Sequence, residues 1–245
     1  MTIELVNNVT YSFYAVAVIT TIAFIYSLYL IFKISPSQMN TYKYYLLNIQ
    51  VAAYLETIYY TVLLSVIWMT PHFGVNAEGL LCKVFKMPTK YPFGVYTGFY
   101  CCVTCALNAA YIYRYRLLLF VANIKISNRL LGIIIASTYV LSVGMSVPFA
   151  TMAFQEHDQS VAEVRKIDSK VFLGDSFILL GGPTLLMWIY FATAISVISF
   201  IIFVVIIKHT SIMLKNQARF SEMSRKMHQS AMSGLVVQRM FGLVA

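Results

Sequence analysis

Long apolar segments alternate with short polar ones along the whole chain. Five of the apolar segments are about 20 residues or longer, the length that a helix needs to cross the hydrocarbon core of a bilayer. They lie at residues 11–32, 44–69, 93–113, 130–154 and 184–207. A sixth apolar segment, residues 230–245, contains Gln238 and Arg239 and predicts only the start of a span. The pattern predicts an all-α, polytopic membrane helix bundle in a single domain, residues 1–245.

Composition agrees with a membrane protein. The 245 residues are 60% hydrophobic and only 11% charged, whereas about a quarter of an ordinary soluble domain is charged. Apolar segments of this length fit helices and not the alternating segments of roughly ten residues that form an outer-membrane barrel. The net charge of +9 comes from basic residues in the connections, which membrane topology explains. We therefore expect a lipid bilayer as partner and no nucleic acid.

The basic residues also predict an orientation. With the N-terminus outside, the inner connections hold about eleven Lys and Arg and the outer connections about six. Cytoplasmic connections carry the excess of basic residues, so the pattern favours an extracellular N-terminus. Asn8 then lies outside, within the N-glycosylation pattern Asn8-Val9-Thr10, and is a glycosylation candidate.

The sequence offers no pattern for catalysis. It contains no Gly-rich phosphate loop, no nucleophile elbow and no His-Glu-x-x-His pattern. The four histidines lie far apart in connections, and the cysteines lack the paired spacing of a zinc site; they are Cys82, Cys101, Cys102 and Cys105. We expect no enzyme activity, no cofactor and no metal site.

Three polar residues lie inside the predicted spans in positions that need an explanation. Glu56 is the only acidic residue in a complete span, about 18 Å from either end of its helix. Ionisable residues at this depth face the bundle interior, so Glu56 either packs by a hydrogen bond to Asn108 or a span-three hydroxyl, or serves as a ligand counter-ion. Asn48 and Asn108 are predicted to hold helices together by polar contacts.

The third span ends at Tyr113-Arg114-Tyr115, where an apolar run meets arginine. Tyrosines at headgroup depth with arginines just beyond them are typical of a cytoplasmic helix end. Alternatively, Arg114 belongs to a conformational switch that a cytosolic protein reads.

The order of these features resembles a seven-transmembrane G-protein-coupled receptor. The shared features are an outer N-terminus, a third span closed by aromatic-Arg-aromatic, a long outer loop before span five and a basic inner loop before span six. Several segments resemble, more narrowly, the Srh and Sri branches of the Str superfamily of nematode serpentine chemoreceptors. These segments are Ser35–Asn48, Ile112–Tyr115, Pro148–Phe149, Asp158–Gln159 and Lys226–Gln229 together with Gln238.

The resemblance implies a multi-pass plasma-membrane receptor that detects a small molecule or odorant and couples to a heterotrimeric G protein. It places Tyr113, Arg114 and Tyr115 at the coupling surface, with 208–226 as the other wall. Aromatic residues in the outer half of span three would line the ligand pocket together with the deep acid. The pocket candidates are Glu56, Tyr96, Phe99 and Tyr100.

The chain departs from the receptor pattern in three places. Tyr113 stands where better-known receptors have an acid, and residues 155–182 hold no cysteine that could pair with Cys82. After Gln238 the sequence no longer resembles the family's sixth helix, so the chain is similar to a receptor truncated in span six. A non-signalling receptor fragment therefore stays an alternative. A small-solute transporter is another, although it would predict an internal repeat or several intramembrane charges.

Overall fold

The computed structural model describes residues 3–34, 41–69, 74–121, 127–167, 173–181 and 185–216. Its helices are α1 (Ile3–Tyr29), α2 (Tyr42–Ile58), α3 (Leu80–Lys83), α4 (Lys90–Val121), α5 (Asn128–Met152), α6 (His157–Ile167) and α7 (Leu185–Asn216). Helix α1 ends in a π-helical turn, Leu30–Ile34, and α2 in another, Tyr59–Leu64. Three strands, β1 (Val66–Met69), β2 (Gly74–Ala77) and β3 (Ile178–Leu179), form an antiparallel sheet in the order β1-β2-β3.

The long helices form a bundle with α4 at its centre. Helix α4 packs against α2, α5 and α7, and α1 packs against α2. Within the described part of the chain, three helices are long and apolar enough to cross a membrane: Val6–Lys33, Lys90–Leu117 and Arg129–Met152. The chain is thus an all-α membrane helix bundle, and the further spans expected in α2 and α7 stay predictions.

Small residues let α4 approach its neighbours closely. A Cβ atom added to Gly94 would lie 2.5 Å from Thr151 Cγ2 of α5, and one added to Gly98 would lie 3.0 Å from Val147 Cγ2. Two glycines four residues apart put one flat surface on a helix, which is a common solution for helix packing in membranes. The close contact between α4 and α5 therefore depends on this pair.

The predicted second span, residues 44–69, is wrong at its C-terminal end. The helical backbone stops at Ser65, which has a left-handed conformation with φ of 44°. Val66–Met69 then forms β1 and pairs with β2 in the register Val66↔Ala77. A short apolar run of this kind has the same hydropathy in a strand as in a helix, so hydropathy could not separate the two.

Residues 155–182 were predicted to form a loop. This prediction is also wrong, because much of the segment forms secondary structure. It contains α6 and β3, and the backbone N–H of Leu179 donates to Ser160 Oγ at 3.0 Å. Strand β3 pairs with β2 in the register Val75↔Ile178. The described residues of the two connections, 65–69 with 74–89 and 153–167 with 173–181, therefore form one unit at one end of the bundle, which we call the cap.

Helices α4 and α7 run further than the predicted spans. Helix α4 continues from the predicted end at Tyr113 to Val121, about 12 Å of additional helix. Arg114 and Arg116 consequently lie on this helix and not in a connection. Helix α7 likewise continues beyond residue 207 to Asn216. The predicted partial span at 230–245 lies outside the described residues.

We expect Gly79→Ala to destabilise the cap. A Cβ atom at Gly79 would lie 2.3 Å from the backbone oxygen of Leu63, and backbone at the end of a packed helix cannot give way cheaply. Overpacking of this kind costs about 1–3 kcal/mol. The thermal unfolding midpoint of the protein in detergent should fall.

Gly132→Ala on α5 is the matched control, because among the described residues no atom outside the backbone of α5 lies within 4 Å of the added Cβ. Its unfolding midpoint should stay the same or rise slightly, since alanine favours a helix more than glycine does. Equal midpoints for the two variants would contradict the packing described for the cap.

Candidate functional site

The deep acid of α2 is paired with a tyrosine of α4. Glu56 is half-buried, and its carboxyl group interacts with the Tyr96 hydroxyl. A buried carboxylate without such a donor would cost several kcal/mol. Of the two partners considered from sequence, the structure supplies the span-three hydroxyl. Asn108 lies twelve residues beyond Tyr96, about 18 Å along α4, and is too far to share the contact.

Aromatic rings from three helices surround this pair. The Tyr60 and Tyr96 ring centroids lie 5.0 Å apart, and Phe13 of α1 meets Tyr60 edge-on at 5.7 Å. Phe99 lies 5.1 Å from the ring of Tyr59. The structure thus brings together three predicted pocket residues, Glu56, Tyr96 and Phe99.

Tyr100, the fourth pocket candidate, lies one turn beyond Tyr96 on α4. It interacts electrostatically with Tyr96 but leaves 38% of its surface exposed. It therefore belongs to the edge of the aromatic group and not to its centre.

Sequence reasoning missed the link between this group and the cap. The Trp68 side chain of β1 interacts with the Tyr60 hydroxyl, and the centroid of its ring lies 6.1 Å from that of Phe93 of α4. Because residues 66–69 were expected to be helical, the sequence did not predict a contact between Trp68 and Tyr60. The cap and the Glu56–Tyr96 pair are therefore joined through one tyrosine.

At the other end of α4, Tyr113 is part of the core. Only 9% of its surface is exposed. Its ring stacks on Tyr45 at 4.5 Å and on Tyr42 at 6.3 Å. The side chain therefore fills the α2–α4 interface, and a contribution of Tyr113 to a coupling surface stays a prediction.

Arg114 is held by an aromatic ring of α2. Its guanidinium carbon lies 4.1 Å from the centroid of the Tyr42 ring, within the range of a cation–π interaction. Arg114 Nε is buried and has no hydrogen-bond partner among the described residues. The Tyr42 ring is therefore the group that the Arg114 guanidinium rests on.

Tyr115 joins α4 to α7. Its hydroxyl lies 3.1 Å from His209 Nδ1, and the two rings meet edge-on at 5.6 Å. Three consecutive residues of α4 thus have three different roles: Tyr113 packs on α2, Arg114 rests on Tyr42, and Tyr115 contacts α7.

The polar packing candidates occupy separate positions in the bundle. Asn48 Nδ2 donates to the Tyr139 hydroxyl at 2.9 Å and so connects α2 to α5. Asn108 lies half-buried on α4.

Asn8, the glycosylation candidate, lies on α1 within the apolar span Val6–Lys33. The Thr10 hydroxyl of the same pattern donates to the Val6 carbonyl at 2.9 Å. Glycosylation acceptors are surface positions, commonly in loops, so glycosylation of Asn8 stays a prediction without a loop to support it.

The four cysteines are free thiols. Cys82 is buried in the cap with its Sγ 3.8 Å from Thr89 Oγ1. Burial raises the pKa of the Cys82 thiol, so it stays protonated and unreactive at neutral pH.

Comparison with known proteins agrees with this arrangement. A family model of serpentine type 7TM GPCR chemoreceptors, Srh, matches residues 5–245. The chain belongs to the Srh family. It is therefore a serpentine, multi-pass membrane protein of a receptor family and not of an enzyme family, and the match decides between the Srh and Sri branches. Searches of curated proteins and of solved structures give no match.

We expect Tyr96→Phe to destabilise this Srh protein more than Glu56→Gln does. The phenylalanine leaves the Glu56 carboxylate without its donor, and an unsatisfied buried group costs about 1–3 kcal/mol, more if charged. Glutamine keeps an acceptor oxygen for the Tyr96 hydroxyl. The thermal unfolding midpoints of both variants check this order.

The matched control is Tyr91→Phe, which removes a hydroxyl from an exposed tyrosine at the start of the same helix. Its midpoint should equal that of the parent. If Tyr96→Phe also leaves the midpoint unchanged, the contact between Glu56 and Tyr96 does not stabilise the bundle.

Proposed function

We propose that this Srh protein is a chemosensory G-protein-coupled receptor that detects a small molecule beside Glu56 and Tyr96 and signals through Arg114. One observation carries the proposal: the same two helices hold a polar contact at each end. Helices α2 and α4 contribute Glu56 and Tyr96 near the cap, and Tyr42 and Arg114 at the opposite end. A change in how these helices pack would alter both contacts.

The two contacts are far enough apart to be separate sites. Glu56 lies fourteen residues from Tyr42 and Tyr96 lies eighteen from Arg114, which corresponds to about 21 and 27 Å of helix. The cap-side contact has the features of a small-molecule site, with several aromatic rings and few polar groups. A ligand that bonds to Glu56 would compete with the Tyr96 hydroxyl and loosen α2 from α4 there.

The opposite contact has the features of a switch. A cation–π interaction is worth about 0.5–2 kcal/mol, so a ligand with a modest preference for one helix arrangement is able to shift the population. Arg114 leaves the Tyr42 ring in the active arrangement and presents its guanidinium to the G protein. Tyr115 supports the same end through His209.

Charge supports an orientation with the cap outside the cell. Counted along the sequence, the connections at the end away from the cap hold about eleven Lys and Arg and the connections of the cap about six, and basic residues accumulate on the cytoplasmic side. In a receptor of the plasma membrane, the N-terminus and the cap are then extracellular, and Arg114 faces the cytosol.

Arg114→Ala should abolish G-protein activation without lowering the amount of protein at the cell surface. The reason is that the variant removes the cation that the G protein binds and leaves the packing of Tyr113 intact. Nucleotide exchange on a co-expressed G protein, normalised to surface protein, provides the measurement. Arg129→Ala, at the same end on α5, is the control and should signal normally. Unchanged exchange with Arg114→Ala would overturn the coupling role.

Tyr42→Leu should raise basal nucleotide exchange by about fivefold, because it removes about 1 kcal/mol of cation–π interaction that holds Arg114 in place. Tyr42→Phe keeps an aromatic face and should have near-parental basal exchange. Equal basal exchange in the leucine and phenylalanine variants would show that the ring of Tyr42 does not restrain Arg114.

A further inference from the structure

The cap contains a cavity of about 660 Å³. Residues between Glu78 and Lys90 form one side, and residues 155–157 and 173–178 contribute the other. Neither Glu56 nor Tyr96 lines it, so it is distinct from the site beside those residues. We propose that the cap cavity binds a small dipolar molecule, its carboxylate at Lys86 and its ammonium at Asp175.

The cavity has the size and lining of a ligand site. Pockets for small molecules range over about 300–1,000 Å³ and combine apolar surface with a few polar groups. The apolar part here comes from Cys82, Met87, Pro88, Leu173 and Ile178. The remaining lining residues are mostly charged or polar, so the cavity fits a molecule that carries charge and a short apolar body.

The charges of the lining select the kind of ligand. Three lysines and three carboxylates line the cavity, and four of these six groups are paired. Lys83 Nζ lies 3.7 Å from Glu78 Oε2, and Lys90 Nζ lies 2.5 Å from Glu156 Oε1. The remaining two, Lys86 and Asp175, form no ion pair with any described residue. A ligand with one charge of each sign would pair with both, whereas a singly charged ligand would leave one of them unpaired.

Lys86 has an unusual backbone. Its φ is 51°, in the left-handed region, which residues other than glycine rarely adopt. Such conformations cost free energy and persist where the surrounding structure imposes them, often at ligand sites. Lys86 thus combines a left-handed backbone with the lack of an ion-pair partner among the described residues. The backbone conformation fixes the direction in which its side chain leaves the chain beside the cavity.

Asp175 lies in a turn that is held in place on several sides. The Phe177 N–H donates to the Gly174 carbonyl at 3.0 Å, closing the turn. Thr89 Oγ1 donates to the Ser176 carbonyl at 2.6 Å, and His157 Nδ1 lies 2.7 Å from the Phe177 carbonyl. A pre-arranged turn reduces the entropy lost when a ligand is bound. The backbone of Lys86 and that of Asp175 are therefore both held in a defined conformation.

This inference deepens the proposed function and rests on it for the role of the site, since the cap that holds the cavity contacts α4 through Trp68 and Phe93. Binding itself does not depend on G-protein coupling and can be measured alone.

The test is binding of ω-amino acids, from glycine to 6-aminohexanoate, to the full chain in nanodiscs at low ionic strength. Saturation-transfer NMR titrations give the affinities. We expect at least one chain length to bind, and hexanoate and hexylamine to bind at least about tenfold more weakly. Lys86→Gln and Asp175→Asn should each weaken the best ω-amino acid by about tenfold or more, the usual effect of losing a charged partner.

Lys166→Gln and Asp158→Asn are the controls. Both residues are exposed on α6 and neither lines the cavity, so binding should be unchanged. The proposal is overturned if no ω-amino acid binds, if the singly charged molecules bind equally well, or if the cavity variants bind like the controls. Signalling that still requires Arg114 would then show that the receptor function stands and that only the ligand class is wrong.

Discussion

The packing of α2 against α4 is the contact on which the rest of this Srh protein depends. Its centre consists of Ala106 and Ala110, both fully buried, between larger residues such as Ile49 and Tyr111. Without a strong hydrophobic driving force between helices in lipid, association relies on close fit and polar contacts. The alanines provide the close fit, and the contacts at Glu56–Tyr96 and Tyr42–Arg114 fix the two ends.

The cap extends this helix pair at one end of the bundle. It begins where Ser65 ends the helical backbone of the α2 segment, and it finishes against α4 through the contact of Trp68 with Phe93. Its own core joins both connections, with Val75, Phe93, Phe154 and Ile178 packed together. A ligand held by the cap and a ligand beside Glu56 would therefore act on the same two helices, which gives the cap cavity a physical route to the rest of the molecule.

Hydropathy was sufficient to locate the long helices, but it missed the ends of several of them and was insufficient for the cap. Helix α5 begins and ends within two residues of the predicted span, because a long apolar run has one solution in lipid. Val66–Met69 was misread since a short apolar run suits a strand equally. Its partner is β2, and the third strand of the sheet, β3, follows β2 by about 100 residues. The cost of a buried charge was enough to predict a hydroxyl partner for Glu56. The sequence did not predict Tyr42 as the partner of Arg114, because neither segment alone shows which sides of α2 and α4 face each other.

The central claim is that the two ends of α2 and α4 are coupled. A trifluoromethyl-phenylalanine at Leu117, which is 40% exposed just beyond Arg114, would report the arrangement of that end by ¹⁹F NMR. Tyr96→Phe should change the populations of its resonances, and Tyr91→Phe should not. Identical spectra for the parent and Tyr96→Phe would contradict the account, because the polar contact near the cap would then have no influence on the end that carries Arg114.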